Sequence, residues 1–296
     1  MSAPDTLTSL DPGLKAAVLV EALPWLQEFR GQTVVVKFGG NAMIDPGLTR
    51  AFAEDMAFLA LAGIRPVVVH GGGPQISAAL EAAGIESEFK GGLRVTSRAA
   101  VPIVRAALVE GVAAGLLDAL ETAGACAAGL PGDEGLLTGV RRGTIVDGVE
   151  VDLGEVGEVT AVNAIPIVEA LDDDRVPVVS TLARAADDGA TLNVNADSAA
   201  AAMAVALRAR KLIVLTDVAG LYADWPRTDS LISRIDAAEL KAMIPALESG
   251  MIPKMEACLQ AVEGGVPKAA IIDGRQEHSP LLEIFTDQGV GTEVVQ

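Results

Sequence analysis

The chain is predicted to be an α/β protein, a three-layer α/β/α sandwich with a mainly parallel central sheet and an added kinked helix at its N-terminal end. Three observations predict this. Short, continuous Val/Ile/Leu runs at Thr33–Phe38, Pro66–His70, Pro177–Ser180, Leu212–Thr216 and Ala269–Asp273 are each separated by a helix-like stretch, the pattern of parallel strands covered by helices on both faces. At 296 residues, half of them apolar, the chain can bury one large core or two lobes sharing a sheet. Alanine and glycine fill much of that count while aromatics make up only 3%, which suits helices packed closely on a sheet and excludes a base-stacking platform.

In order, Leu14–Phe29 carries Val18, Leu19, Ala22, Leu23, Leu26 and Phe29 at helical spacing, and Pro24 predicts a kink or two short helices. Its apolar stripe must be buried either on this chain's own core or on a partner helix from another subunit. Helices are expected around Leu48–Leu61 and Gln75–Ala83. Between Leu136 and Val162, glycines punctuate short alternating segments, which predicts β-hairpins laid over one edge of the sheet as a cover. No repeat or low-complexity linker is evident, so any division is into two lobes with a soft boundary near residue 180.

The formal net charge is −18, from 22 basic and 40 acidic residues, and no dense Lys/Arg block occurs. Nucleic acid and anionic membrane are excluded as partners of such a surface. An anionic ligand can still be held if the few cations gather in one cleft, and Lys37, Arg94 and Lys254 are the candidates. Cys126 and Cys258 lack Cys-x-x-Cys spacing, which predicts buried free thiols in a reduced cytoplasm. With His70 and His278 the only histidines, a His-based zinc site is not expected. The segment Met1–Asp11 lacks a basic-then-apolar leader, and no apolar run approaches the ~18–20 residues of a membrane span.

Two glycine loops, Gly39-Gly40 and Gly71-Gly72-Gly73, end apolar strands just before helical patterns. Bare backbone N–H groups there can face a phosphate or carboxylate at a helix N-terminus, at the strand ends where open α/β sheets bind ligands. Lys37 adds a full positive charge beside the first loop. Neither a Gly-Lys Walker loop nor G-x-G-x-x-G occurs. Asn193, Asn195 and Asp197 precede the alanine-rich stretch Ala199–Leu207; capping a helix needs only one of them, and the surplus suits one residue holding a ligand and another orienting a lysine. Lys254 begins a further helical pattern.

The ordered segments Lys37-Phe38-Gly39-Gly40-Asn41-Ala42-Met43, His70-Gly71-Gly72-Gly73-Pro74-Gln75, Gly92-Leu93-Arg94-Val95-Thr96, Leu192-Asn193-Val194-Asn195-Ala196-Asp197, Leu215-Thr216-Asp217-Val218-Ala219-Gly220-Leu221 and Gly250-Met251-x-x-Lys254 resemble the motif series of the N-acetyl-L-glutamate kinases, a branch of the amino acid kinase fold family. The likeness runs from about Leu14 to the C-terminus. It implies ATP-dependent phosphorylation of the γ-carboxylate of N-acetyl-L-glutamate to an acyl phosphate, the second step of arginine biosynthesis. By the same likeness, Lys37 and Lys254 would stabilise the transition state and Asp197 would orient them. Gly72, Gly73, Arg94 and Asn193 would hold the acetylated amino acid, Arg94 through a forked contact with its carboxylate. Gly39, Gly40, Asp217, Gly220 and Leu221 would line the nucleotide site. Mg²⁺ would be held mainly by the phosphates, with no protein metal ligand. A one-carbon-longer acetylated acid is the rival substrate; a non-catalytic arginine sensor is the rival class, against which Lys37, Asp197 and Lys254 all stand.

Two further segments resemble the arginine-inhibited branch, which assembles as a hexameric trimer of dimers. One is the N-terminal helix, with Trp25 where tyrosine is more usual. The other is His278-x4-Glu283-Ile284-Phe285-Thr286-x2-Gly289-x-Gly291-Thr292. The resemblance implies L-arginine as a feedback inhibitor bound by Lys211, His278, Glu283, Gly289 and Gly291. It also implies an oligomerisation helix within residues 1–30, an acetylglutamate-binding lobe over 31–180, and an ATP- and arginine-binding lobe over 181–296.

Overall fold

Pro24 divides the N-terminal helical pattern as expected. In the computed structural model, which describes residues 11–146, 149–286 and 289–296, α1 (Pro12–Glu21) and α2 (Leu23–Phe29) meet at Ala22. Residues 1–10, part of the segment read above as lacking a basic-then-apolar leader, lie outside the described residues. Asp11 caps α1 by accepting from the Leu14 N–H at 3.1 Å. No residue of α1 is buried and α2 buries only Phe29, so α1 leaves Val18, Leu19 and Val20 open to solvent, Leu19 at 70%. Its apolar stripe does not pack on this chain's own core.

Strand β1 (Thr33–Phe38), a 3₁₀ turn at Gly40–Met43, α3 (Pro46–Leu61), β2 (Arg65–His70) and α4 (Gly73–Ala82) follow. A short hairpin, β3 (Phe89–Lys90) and β4 (Leu93–Arg94), leads to α5 (Val101–Ala106), a π-helical stretch Ala107–Ala113 and α6 (Ala114–Thr122). Next come β5 (Ala127–Pro131), β6 (Leu137–Arg141), β7 (Thr144–Val146), β8 (Val149–Val151), β9 (Val156–Val162), α7 (Ile165–Asp172), β10 (Val176–Ser180), β11 (Leu182–Ala185) and β12 (Thr191–Val194). The remainder is α8 (Ala196–Ala206), β13 (Lys211–Thr216), β14 (Leu221–Tyr222), β15 (Leu231–Ile232), β16 (Arg234–Asp236), α9 (Ala237–Met243), α10 (Ile252–Glu263), β17 (Lys268–Asp273), α11 (Ser279–Phe285) and β18 (Thr292–Val295).

All five predicted runs enter one eight-stranded sheet, ordered β16-β18-β17-β13-β1-β2-β10-β5. Every neighbouring pair is parallel except β17 and β18. Because side chains alternate across a strand, Val35, Val67, Val69, Leu212 and Val214 enter the core layer containing α8 and α10. Val34, Val36, Phe38, Val68 and Ile213 enter the opposite layer with α3 and α6. Both faces are thus covered, which explains why these strands lack a polar alternation. In α8, Ala199, Ala200, Ala201 and Ala204 are fully buried, and the helix packs against α10, β1 and β9.

The glycine-punctuated region departs from expectation. Strands β6 and β9 do not simply overlay the sheet; they close a separate four-stranded barrel with β11 and β12, and only β7 and β8 form an outlying hairpin. The partners come from beyond residue 180, a long-range pairing that local periodicity does not encode. Cys126 is a second departure: it is exposed, while Cys258 is buried as expected, because Cys126 sits just before β5, the strand at the sheet's edge.

Candidate active site

The central position of β1, between β2 and β13, carries Lys37 to the carboxyl end of the sheet. There its Nζ lies 3.0 Å from Asp197 Oδ1, and Lys254 Nζ lies 3.8 Å from Asp197 Oδ2. One carboxylate thus faces two ammonium groups, one per oxygen. Lys254 Nζ also donates to the Gly250 carbonyl at 3.0 Å. The lysines come from a strand and from the first turn of α10, and Asp197 from the first turn of α8, so three separate elements converge on one charge cluster.

The three polar residues before α8 divide the work. Asn195 is the cap: its Oδ1 accepts from the N–H groups of Asp197 at 2.8 Å and Ser198 at 3.0 Å, which frees Asp197 to pair with the lysines. Asn193, on β12, donates from Nδ2 to Thr96 Oγ1 at 3.2 Å, tying the barrel to the loop after Arg94. A cavity of about 310 Å³ joins these groups to both glycine loops and Arg94. Two glycines lie close to the charged groups. A Cβ at Gly39 would lie 2.7 Å from Lys37 Nζ, and Gly40 has φ +74° with Asp217 Oδ1 2.8 Å from where its Cβ would be.

Arg94 is only 8% exposed, and burial lowers its pKa from the usual arginine value. Its Nη2 donates to the Gly73 carbonyl at 2.9 Å and to Ser77 Oγ at 2.8 Å, its Nη1 donates to Ser87 Oγ, and its guanidinium carbon stands 4.6 Å from the centre of the Phe89 ring. Both Nη2 hydrogens are therefore engaged, and a forked contact with a carboxylate requires one of these bonds to open.

Gly220 and Leu221 line a second, narrower cavity of about 80 Å³ together with Tyr222, Trp225, Leu247 and Met251. The Tyr222 and Trp225 rings are 5.1 Å apart at their centres. Asp217 does not line this cavity; its carboxylate faces Gly40 instead. Tyr222 is the chain's one tyrosine and Trp225 one of two tryptophans. That scarcity was the sequence signal available for them, and motif reading passed over it.

A third cavity, about 310 Å³, opens at the other end of β13 and is lined by Trp25, Lys211, Lys268, Glu283, Gly289 and Glu293 among others. Lys211 Nζ lies 2.7 Å from Glu283 Oε1 and 3.2 Å from Glu293 Oε1. Glu283 Oε2 accepts from the Val290 N–H at 3.0 Å, and Gly289, at φ +61°, makes room for that carboxylate. Burial pushes Glu293 upward, but Lys211 and Lys268 outweigh it and hold the group below the usual carboxylate value. Lys211, Glu283 and Gly289 are thus brought together, whereas two other predicted members are not. His278 sits before α11 at φ +59°, with Nδ1 2.6 Å from Asp55 Oδ1. Gly291 packs on the Ile271 carbonyl.

Residues 32–273 match the model of the amino acid kinase family. The chain is 58% identical over 282 residues to acetylglutamate kinase of Leifsonia xyli subsp. xyli, spanning 95% of this chain and 93% of that one. Among solved structures it is similar to N-acetylglutamate synthase from Neisseria gonorrhoeae complexed with coenzyme A and N-acetyl-glutamate, with TM-score 0.82 and 26% identity over 95% of this chain and 63% of that one. The same synthase complexed with coenzyme A and L-arginine gives TM-score 0.78 at 26% identity, again over 95% of this chain and 65% of the other. The chain spans about two thirds of the length of that synthase. By its fold, its site and these likenesses the chain belongs to the amino acid kinase family and is a kinase.

Proposed function

We propose that the chain transfers the γ-phosphoryl group of ATP to the γ-carboxylate of N-acetyl-L-glutamate. The observation that carries this reading is Asp197 set between Lys37 and Lys254 beside two glycine loops, in a chain highly similar to acetylglutamate kinases. A glutamate-type carboxylate, with a pKa of about 4.3, is ionised at neutral pH and needs no base. One of its oxygens forms the new bond to phosphorus as the bond to the β,γ-bridging oxygen breaks and ADP departs. Catalysis then reduces to alignment and to neutralising charge on the transferring group. Lys37 and Lys254 supply that charge, Asp197 keeps the two ammonium groups apart and aimed, and the Gly72 and Gly73 N–H groups face the anions. Arg94 and Asn193 orient the acetylated amino acid, and Gly220, Leu221, Tyr222 and Trp225 receive the nucleoside.

The residues present suit a phosphate chain. No cluster of three or more His, Cys, Asp or Glu among the described residues could hold a metal ion, and the cavity's own carboxylate is engaged by lysines. Mg²⁺ accompanying the nucleotide would be held by its phosphates and would add charge neutralisation. The third cavity is assigned to L-arginine as feedback inhibitor: Glu283 suits a guanidinium and Lys211 a carboxylate. The exposed apolar face of α1 is assigned to the same helix of a second copy, giving a hexamer built as a trimer of dimers. Residues 31–180 are assigned as the acetylglutamate lobe and 181–296 as the ATP and arginine lobe, in a cytoplasmic enzyme.

Hydroxylamine trapping of acyl phosphate, with Mg-ATP and N-acetyl-L-glutamate, tests the reaction. Hydroxamate formation that falls on adding L-arginine is expected. No hydroxamate from protein that still binds ATP overturns the substrate assignment, and product insensitive to arginine overturns the inhibitor assignment.

A further inference from the structure

His70 is fully buried at the end of β2, immediately before the second glycine loop, and none of the roles assigned above uses it. Its ring is held at both nitrogens. Nδ1 lies 2.9 Å from the Gly71 carbonyl oxygen, and Nε2 lies 2.9 Å from Ser180 Oγ at the end of β10. A carbonyl oxygen only accepts, so Nδ1 must carry the proton. Burial holds the ring's pKa down to about 4, so the ring is neutral at working pH. Nε2 is then bare and accepts the Ser180 hydroxyl proton. The strand end is strapped on its other side as well, since Thr181 Oγ1 donates to the His70 carbonyl at 3.1 Å.

In a trans peptide the carbonyl and the following N–H point in opposite directions. Drawing the Gly71 carbonyl onto the buried imidazole therefore turns the Gly72 N–H the other way. That N–H donates to no acceptor among the described residues, and Gly71, Gly72 and Gly73 all line the cavity that holds Lys37 and Asp197. Gly71 also approaches α8 so closely that an added Cβ would meet Ala196 Cβ at 3.3 Å. The orientation of the loop is thus referenced to the helix that presents Asp197. We infer that His70 is a positioning residue for phosphoryl transfer: as the Nδ1–H tautomer, clamped by Ser180, it fixes the Gly71–Gly72 peptide so that the Gly72 N–H serves as an anion donor. The kinetic half of this inference rests on the acetylglutamate kinase reading.

The test pairs two amides. In His70→Asn the side-chain amide falls near the place of Nδ1 and can still donate to the Gly71 carbonyl. In His70→Gln it falls near Nε2 and cannot. His70→Asn is expected to keep kcat within about threefold of the parent, and His70→Gln to lower it by about 10- to 100-fold with KM for both substrates little changed, in keeping with loss of an aligned backbone donor. A ring that only fills space predicts the reverse order, because glutamine is closer to histidine in volume; equal or better turnover by His70→Gln overturns the inference. Nitrogen-15 NMR of histidine-labelled parent protein gives an answer independent of turnover and of variant folding. The chain has two histidines, and a His278→Asn sample identifies the His70 signals. A protonated Nδ1 and bare Nε2, unchanged from pH 6 to 8, are expected. An Nε2–H tautomer, or titration within that range, overturns the inference. Absence of hydroxamate from the parent would instead defeat the substrate reading, with the spectrum still deciding the tautomer.

Discussion

Asp197→Asn removes one negative charge and almost no volume from the centre of the site. The carboxylate stands 3.0 Å from one ammonium and 3.8 Å from another, and at an effective dielectric of about 20 each attraction is roughly 4 to 6 kcal/mol before desolvation is subtracted. Breaking such a buried pair by removing one partner costs about 3 to 5 kcal/mol, because the remaining charges stay buried. In the variant, two neighbouring cations are left facing an amide that can satisfy only one of them. The nucleotide's phosphates would restore the missing negative charge, so the stability loss should be largest without ligand. AMP-PNP should raise the variant's Tm by more than it raises the parent's. On the role proposed for the two lysines, turnover should fall about 100-fold, close to 2.7 kcal/mol in the barrier. Hydroxamate assays and thermal melts with and without AMP-PNP measure both quantities. A kcat within threefold of the parent, or equal stabilisation of the two proteins by AMP-PNP, would refute the role given to Asp197.

Gly39→Ala should leave Tm within about 2 °C yet lower kcat at least tenfold, since the new methyl meets only the flexible Lys37 tip; unchanged kcat would show that the lysine's path over this glycine is immaterial. Leu19→Glu, on the open face of α1, should reduce the particle seen by light scattering to a dimer, and an unchanged hexamer would end the helix-pairing assignment. Glu283→Gln should raise the arginine concentration for half-inhibition at least tenfold, whereas an unaltered inhibition curve would move the inhibitor elsewhere. For pH, Asp55 is buried and its pKa is raised to about 6 from 3.8, chiefly by desolvation and despite the His278 hydrogen bond. The folded state therefore binds this proton more tightly than the unfolded state, and stability falls as pH rises from about 4 to above 6. Asp55→Asn removes that slope, so its stability relative to the parent in urea should increase by about 1 kcal/mol between pH 5 and pH 7; a difference constant with pH would contradict the buried carboxyl's titration.

The parallel sheet was legible because its strands are buried on both faces, so that runs such as Val34–Val36 and Leu212–Leu215 carry no polar alternation to confuse with another element. Lys37, Asp197 and the glycine loops were legible for a related reason: each stands at the junction of a strand and a helix, where capping, chain reversal and charge leave local marks. The barrel was not, since β6 and β9 find β11 and β12 only through long-range pairing. The contact of His278 with Asp55 is likewise invisible in the sequence. The histidine's spacing from Glu283 is fixed along the chain, but a left-handed turn before α11 sets its ring against Asp55 on α3. Tyr222 ends the two-residue strand β14 and Trp225 lies in the turn after it, segments too short for periodicity to give a signal. The hydrogen bonds that engage Arg94, from Nη2 to the Gly73 carbonyl and Ser77 and from Nη1 to Ser87, are contacts that no motif flags.

The alanines of α8 set a limit on how this protein can drift under mutation. At Ala199, Ala200, Ala201 and Ala204 there are almost no atoms left to remove, so nearly every single-residue change, glycine apart, adds volume between α8 and its neighbours α10, β1 and β9. Volume added against α10 or β1 widens the gap between the element that carries Asp197 and those that carry Lys254 and Lys37. Ion-pair geometry degrades over a few tenths of an ångström, a displacement that a core of this size absorbs by small shifts costing about 1 to 3 kcal/mol. Substitutions along this helix should therefore yield folded but silent proteins, and its history should show activity constraining sequence more tightly than folding does.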